Sequence, residues 1–300
     1  MHFDLPDLRV FILIAEAQSI TGGAERAHIS TAAVSTRIKS LEEQLGSRLL
    51  YRSSKGVELT PAGEKLLKHA RAILRQVDFL KSDFSEYGSE AVGHLRIFAN
   101  TTAVSEFMPA ILARFLADRP HVTVDLQERS TQEIIRGIKE SAADLGLVAG
   151  DIPDKGIEVR KFREDRLVVV TPTHHPLAKK SSAKLLDCLE YSHVSLRDDS
   201  TLLQFVRHKV RDAGAELPLR VQVLGFEPAC QMIGAGVGIG ILPESCARRH
   251  QASMQIELIP LNESWALRER SVIARDFMAL PSCGRELLSR ICQSEEYLSY

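Results

Sequence analysis

The stretch Ser19–Leu45, SITGGAERAHISTAAVSTRIKSLEEQL, constrains this chain most. A short apolar-periodic segment carrying Ile20, Ala24 and Ala27 runs to a turn at His28-Ile29-Ser30. After it, Val34, Ile38, Leu41 and Leu45 recur at steps of four, three and four, the helical period. They gather into one narrow apolar stripe. The opposite face carries Ala32, Thr36 and Lys39, flanked by Ser35, all small, hydroxylic or basic. Ser30 is a good N-cap residue, whose oxygen accepts from a free first-turn N–H. Two helices joined by a tight turn, the second with a slim polar face, predict a helix-turn-helix. Such a face enters a DNA major groove without bulky obstruction. An ordinary helical hairpin in a globular core shares the periodicity, so charge and flanking sequence must separate the two readings.

The net charge of −1 over 300 residues is silent on nucleic acid, but its distribution is not. Between Arg26 and Arg75 ten basic residues face four acidic ones, a surplus of six, and the rest of the chain carries −7. A basic N-terminal module on an acidic body is the electrostatic footprint of a DNA-binding head, although charge runs also mark plain solvated faces. The length suggests about two domains. The chain has no run of about 18 apolar residues to span a membrane. Its start, MHFDLPDL, lacks the basic opening and apolar core of a secretory signal, which predicts a cytoplasmic protein. Five cysteines without a CxxC spacing read as free, mostly buried thiols, with a redox pair left open.

Leu5, Leu8, Phe11, Ile12 and Ala15 predict a first amphipathic helix over about Pro6–Ala17. Leu49–Arg52 and Val57–Leu59 flank the turn sequence Ser53-Ser54-Lys55-Gly56, a small β-wing. Arg52 and Lys55 sit where a wing meets phosphate or minor groove. Thr60-Pro61 starts a long helix. In it Leu66, Ala70, Ile73, Val77, Leu80, Phe84 and Tyr87 alternate steps of four and three, a seam that predicts pairing with a second copy or packing on the chain's own body. Gly88 and Gly93 then read as a hinge. From His94 onward strands alternate with helices, which predicts an α/β fold with parallel sheet. Separate strands are read at Ile157–Phe162 and Leu167–Thr171. Two such rounds suggest two lobes and a small-molecule cleft between them. The glycines at 234, 236, 238 and 240 do not fit a GxGxxG register and follow a helix rather than a strand, so they read as a tight turn. His174-His175 has no partner at metal spacing, and no GxSxG or HExxH occurs. No metal, cofactor or catalytic residue is predicted.

A set of ordered pieces goes further: Leu8-x-x-Phe11, Ala15-Glu16, Ser19-Ile20-Thr21, Ala24-Glu25-Arg26, Ser30, Ala33-Val34-Ser35, Ile38, Leu41-Glu42-x-x-Leu45-Gly46, Leu49-Leu50-Tyr51-Arg52 and Leu59-Thr60-Pro61-Ala62-Gly63. Weaker matches continue at Pro109, Phe115, Pro120, Asp144-Leu145-Gly146, His175-Pro176-Leu177 and Gly236-x-Gly238-x-Gly240-Ile241-Leu242-Pro243. In these the chain resembles the bacterial LysR-type transcriptional regulators over its whole length. It departs from them at Gly23, where the family has alanine, at Ala27, where it has leucine, and at Thr31-Ala32, where Gln-Pro is frequent. The extra glycine is expected to weaken its helix by about 1 kcal/mol. The missing glutamine bears on sequence preference rather than on DNA binding itself.

The resemblance implies a winged helix-turn-helix over residues 1–60 and a linker and dimerisation helix over 61–88. It implies a two-lobed effector domain like periplasmic binding proteins over 89–300, with lobe I at about 93–171 and 263–300 and lobe II at about 172–262. It implies a DNA-binding regulator in which Ser30, Thr31, Ala32, Ser35, Thr36, Arg37 and Lys39, with Arg52 and Lys55 of the wing, meet double-stranded DNA. Leu66, Ala70, Ile73, Val77, Leu80 and Phe84 would build a homodimer, or a tetramer from two such dimers. A small effector, with an anion as the candidate class, would sit between the lobes. Helix N-termini offer free N–H groups there, which selects Asn100, Thr101, Thr102, Ser200 and Thr201, with Ala149 and Phe226 as walls. Each hydroxyl is equally read as a simple N-cap. A solute-binding protein and an α/β enzyme with a helical appendage are the competing classes. The N-terminal head and the missing signal segment argue against the first, and the missing catalytic set against the second.

Overall fold

The computed structural model describes residues 3–53, 56–85, 93–150, 152 and 156–293, with side chains of 81–85 left out. The predictions at Lys55, Tyr87, Gly88 and the Phe84 side chain lie outside the described residues. The chain forms two compact units that divide at Gly93/His94.

In the first unit, α1 (Leu5–Ala17) begins on a reciprocal cap, in which Asp4 and Asp7 each accept from the other's backbone N–H. Helix α2 (Ile20–Ala27) is capped by Ser19 and ends at His28 in the left-handed region. Helix α3 (Thr31–Leu45) is capped by Ser30 and stopped by Gly46 at φ +64°. Strands β1 (Leu50–Ser53) and β2 (Gly56–Leu59) form an antiparallel hairpin, and α4 (Pro61–Ser85) follows. The predicted stripe Val34, Ile38 and Leu41 packs with Val10, Phe11, Ile14 and Ala24 in one core. Two contacts fix the wing. The Glu42 carboxylate accepts from the Leu49 and Leu50 N–H groups, at 2.8 and 3.3 Å, and the Val57 N–H donates to the Gln18 carbonyl at 2.9 Å. The Thr60 hydroxyl donates to Arg48 O at 2.7 Å and accepts from the Gly63 N–H at 3.0 Å, starting α4 as its sequence predicts.

Gly23 has a role that propensity does not show. A Cβ there would stand 2.6 Å from Ile14 Cγ1 and 2.9 Å from Ile14 Cα, so the glycine is what lets α2 cross the backbone of α1. The overpacking strain of about 1–3 kcal/mol outweighs the helix-propensity gain of about 1 kcal/mol. Gly23→Ala is therefore expected to lower the urea midpoint of the full chain, and a raised midpoint would contradict the close-packing account.

The second unit runs β3 (Gly93–Ala99), a π-helical turn Ala103–Phe107, α5 (Met108–Ala117), β4 (Val122–Glu128), α6 (Thr131–Lys139), β5 (Leu145–Ala149) and the long β6 (Glu158–Pro172). It continues with α7 (Leu185–Cys188), β7 (His193–Leu196), α8 (Thr201–Asp212), β8 (Leu219–Val223), α9 (Phe226–Gly234), β9 (Gly240–Pro243), α10 (Glu244–Gln251), β10 (Ile256–Pro260), β11 (Leu267–Ala274) and α11 (Ser282–Gln293). The two strands predicted at Ile157–Phe162 and Leu167–Thr171 are one. Through Arg166, β6 pairs with β11 in the sheet β6-β11-β5-β3-β4; from Leu167 it pairs with β9 and β10. The crossing between lobes thus lies at Arg166/Leu167 and at Leu267, not at residues 171/172 and 262/263. The seven-stranded sheet is mixed rather than parallel: β3 and β5 are parallel, while β11, β6, β9 and β10 pair antiparallel; β7 and β8 form a separate parallel pair. Each lobe has its own core. Leu95, Phe107, Phe115, Leu145 and Phe162 belong to the first, and Leu167–Val170, Val206, Phe226 and Ile241 to the second.

His193, at the start of β7, is 2% exposed, and its Nδ1 donates to the Tyr191 carbonyl at 2.9 Å. Burial pulls its pKa down to about 4, against a partial upward pull from that hydrogen bond. The unfolded chain takes up this proton below about pH 6.5 and the native chain does not, so stability is complete above that pH and falls as pH drops toward about 4. The loss is about 3 kcal/mol. His193→Gln is expected to flatten the slope of unfolding free energy between those pH values; an unchanged slope would contradict it.

Candidate nucleic-acid interface and effector cleft

On α3 the residues opposite the core stripe are open to solvent. Ser30, Thr31, Ala32, Thr36 and Lys39 are exposed and Ser35 is half-buried. The Ser30 hydroxyl accepts from the Ala33 N–H at 3.2 Å, and the Thr36 hydroxyl donates to Ala32 O at 3.0 Å, leaving its lone pairs outward. The Lys39 ammonium lies 3.7 Å from Glu43 in a solvent-exposed pair, which holds it only weakly. Arg52 is exposed on β1, and exposed Arg26 and Arg48 add cations that reading the helix face alone missed.

Arg37 has a partner within its own unit. Its Nη1 donates to Asp7 Oδ1 at 2.6 Å and lies 3.6 Å from Asp4. Burial raises the Asp7 carboxyl, but the Asp4 amide and the Arg37 guanidinium together hold it below the usual range. Arg37 thus ties α3 to the start of α1 while its side chain stays 41% exposed. The predicted dimer seam needs correction. Ala70 has no exposed surface and Leu66 packs on the winged-helix core, so both are used within the subunit. Ile73 and Leu80 are exposed, at 42% and 57%, and Val77 is half-buried.

A cleft of about 330 Å³ lies between the lobes of the second unit. Of the predicted effector residues, Thr101, Ser200 and Thr201 line it. Asn100 does not: it is buried, and its Oδ1 accepts from the Ala103 N–H at 3.0 Å as a simple cap. Thr102 and Phe226 are buried, Phe226 in the second core, because the first helical turn after each junction points their side chains inward. Ala149 is buried at the end of β5, and its carbonyl accepts from Arg268 Nη2 at 3.2 Å. The Arg268 guanidinium stacks on Phe205, 3.8 Å from the ring centroid.

Walls that were missed come from the junction between β4 and α6, at Glu128, Arg129, Ser130 and Glu133, and from the ends of β7 and β8, at Leu196, Arg197, Asp199, Val223, Leu224 and Gly225. Ser130 and Glu133 form a capping box. The Ser130 N–H and hydroxyl both donate to Glu133 Oε2, at 3.0 and 2.7 Å, and these bonds, led by the hydroxyl, hold the Glu133 carboxyl below its ordinary range. The N-termini of α6 and α8 meet across the cleft, where the Thr131 N–H donates to Thr201 Oγ1 at 3.3 Å. The Ser200 carbonyl accepts from the Gln204 N–H at 3.1 Å, but its hydroxyl does not cap α8, and its Oγ is buried and unpartnered. The Thr101 hydroxyl donates to Glu128 Oε1 at 2.6 Å. Such converging helix starts favour a negatively charged or strongly polar guest.

All five cysteines are free, and burial pushes Cys188 up to about 12 and Cys230 up to about 11, which keeps those two thiols protonated. Among the described residues no three His, Cys, Asp or Glu side chains converge at metal distance, and no helix is long and apolar enough to cross a membrane.

Comparison with known proteins agrees with this geometry. Residues 5–64 match the bacterial regulatory helix-turn-helix protein of the lysR family, and residues 88–291 match the LysR substrate binding domain. The HTH-type transcriptional regulator CysL of Bacillus subtilis is 25% identical over 278 residues, 93% of this chain and 92% of that protein. A full-length OxyR from Pseudomonas aeruginosa shares the fold with a TM-score of 0.73 at 23% identity, covering 97% of this chain and 98% of its own. Full-length CbnR, solved with its target DNA, has a TM-score of 0.54 at 24% identity, covering 97% and 99%. With family domains matched on both units, the chain belongs to the LysR family of transcriptional regulators.

Proposed function

We propose that the chain regulates transcription by reading duplex DNA with α3 and sensing a small polar molecule in the inter-lobe cleft. The observation that carries the first half is the solvent-open strip Thr31, Ala32, Thr36 and Lys39, flanked by half-buried Ser35 and backed by a fully buried Val34 and Ile38. Small side chains let the helix approach base edges, and Lys39 and Arg52 meet phosphate. CbnR, solved on its target DNA, supports this reading by its shared fold. Ile73, Val77 and Leu80 of α4 support pairing with a second copy, since a lone helix gains nothing by leaving such a seam in water. Regulator and DNA then act together in the cytoplasm, with no chemistry of the regulator's own.

Lys39→Ala is expected to weaken binding to every duplex and to reduce the slope of log affinity against log salt by about one. Arg37→Ala is expected to leave that slope alone and to lower the melting temperature instead. Fluorescence anisotropy across a salt series, paired with thermal melts, separates the two; a Lys39→Ala slope equal to the parent's would remove Lys39 from the interface.

For the effector, the facing starts of α6 and α8 support a guest with an anionic group, held by backbone N–H groups and the Ser200 and Thr201 hydroxyls. Binding would draw the lobes together and shift the population of lobe arrangements. In thermal-shift titrations with small carboxylic and amino acids, Thr201→Val is expected to lose the shift that the parent shows, while Thr102→Val keeps it. Equal responses in parent and Thr201→Val would take Thr201 out of the site.

A further inference from the structure

We propose that α3 recognises T·A base pairs through the 5-methyl group of thymine, with Ala32 and Thr36 as the reading residues. This rests on α3 being the DNA-reading helix. Thr31, Ala32 and Thr36 are the first, second and sixth residues of α3, and all three are exposed. The N-terminal residues of such a helix come nearest to the base edges. Ala32 and Thr36 stand one turn apart on one face. Behind them Val34 and Ile38 have no exposed surface, so this face cannot turn inward.

The chemistry of that face limits what it can read. Bidentate readout of guanine or adenine takes the arm of an arginine, lysine, asparagine or glutamine. Among the first eight residues of α3 only Arg37 has such an arm, and its Nη1 donates to Asp7 Oδ1 at 2.6 Å. The Ala32 side chain is a methyl group and nothing more. Thr36 adds a second methyl, and the proton of its hydroxyl is committed to Ala32 O at 3.0 Å. Toward the groove that hydroxyl can only accept. Together the two side chains present apolar carbon and one acceptor, with no donor. In the major groove a T·A pair, in either orientation, is the one pair that combines a methyl group with an amino donor, on thymine C5 and adenine N6. A C·G pair offers the donor without the methyl. Apolar contact removes the thymine methyl from water, a gain that no other standard base supplies.

The test starts from duplexes that the full chain selects out of a random pool. Each thymine of the selected site is replaced by uracil, which lacks only the 5-methyl group, and affinity is read by fluorescence anisotropy. At one or more thymines the replacement is expected to weaken binding about fourfold, the effect of one buried methyl group. Thr36→Ser keeps the hydroxyl and lacks the methyl; Ala32→Gly lacks the other methyl. In at least one of these variants the thymine and uracil duplexes are expected to bind equally well, a loss of discrimination that a merely structural role would not produce. A selected site at which no uracil weakens binding, or a uracil penalty undiminished in both variants, would overturn the proposal. A site indifferent to uracil but blocked by methylation of guanine N7 would leave α3 in the major groove and remove only the methyl readout. No sequence selection at all would remove the DNA reading together with it.

Discussion

One strand serves two hydrophobic cores, and the sensory unit depends on it. Phe162, in the first half of β6, is buried in lobe I, and Leu167–Val170, in the second half, are buried in lobe II. The chain between them, Arg163-Glu164-Asp165-Arg166, crosses from one sheet to the other beside β11. The buried charge there, Asp165, needs partners and has them. Asp165 accepts from Arg270 at 3.0 Å and from the Ser245 hydroxyl at 2.8 Å, with both charged side chains almost fully buried. A buried pair of this kind contributes little net stability but is costly to break, so it fixes geometry more than it adds energy. Two strands crossing between lobes leave few backbone positions to bend, which suits a hinge.

The DNA-reading unit follows the same logic at smaller scale. Helix α3 is held at two points by carboxylates. Asp7 fixes Arg37 near its middle, and Glu42 ties its last turns to the wing. Gly23 admits α2 close against α1, so the strip that faces outward rests on a core without slack. A regulator's reading helix has to keep its orientation while its surface stays small and polar; here the residues that hold it, Asp7, Arg37, Glu42 and Gly23, lie off that strip.

Much of this was legible in the sequence, because the physics was local. The caps Ser19 and Ser30, the stripe Val34–Ile38–Leu41 and the Thr60-Pro61 start declare themselves within a few residues. Cleft residues Thr101, Ser200 and Thr201 followed from the rule that helix starts face a guest. Glu128 to Glu133 obeyed the same rule and were overlooked, since their capping box reads equally as plain helix chemistry. Long-range partners were not legible. The polar run of β6 looks like a loop until β11 lies beside it, Arg37 looks free until Asp7 is placed, and Ala70 looks like a seam residue until its surroundings close over it.

The central claim is that α3 reads duplex DNA from the major groove, and methylation interference on the DNA upstream of the gene tests it most directly. Methyl groups on guanine N7 project into that groove. The account predicts that they block binding of the full chain in two patches a whole number of helical turns apart. Binding indifferent to N7 methylation, with salt dependence intact, would contradict it.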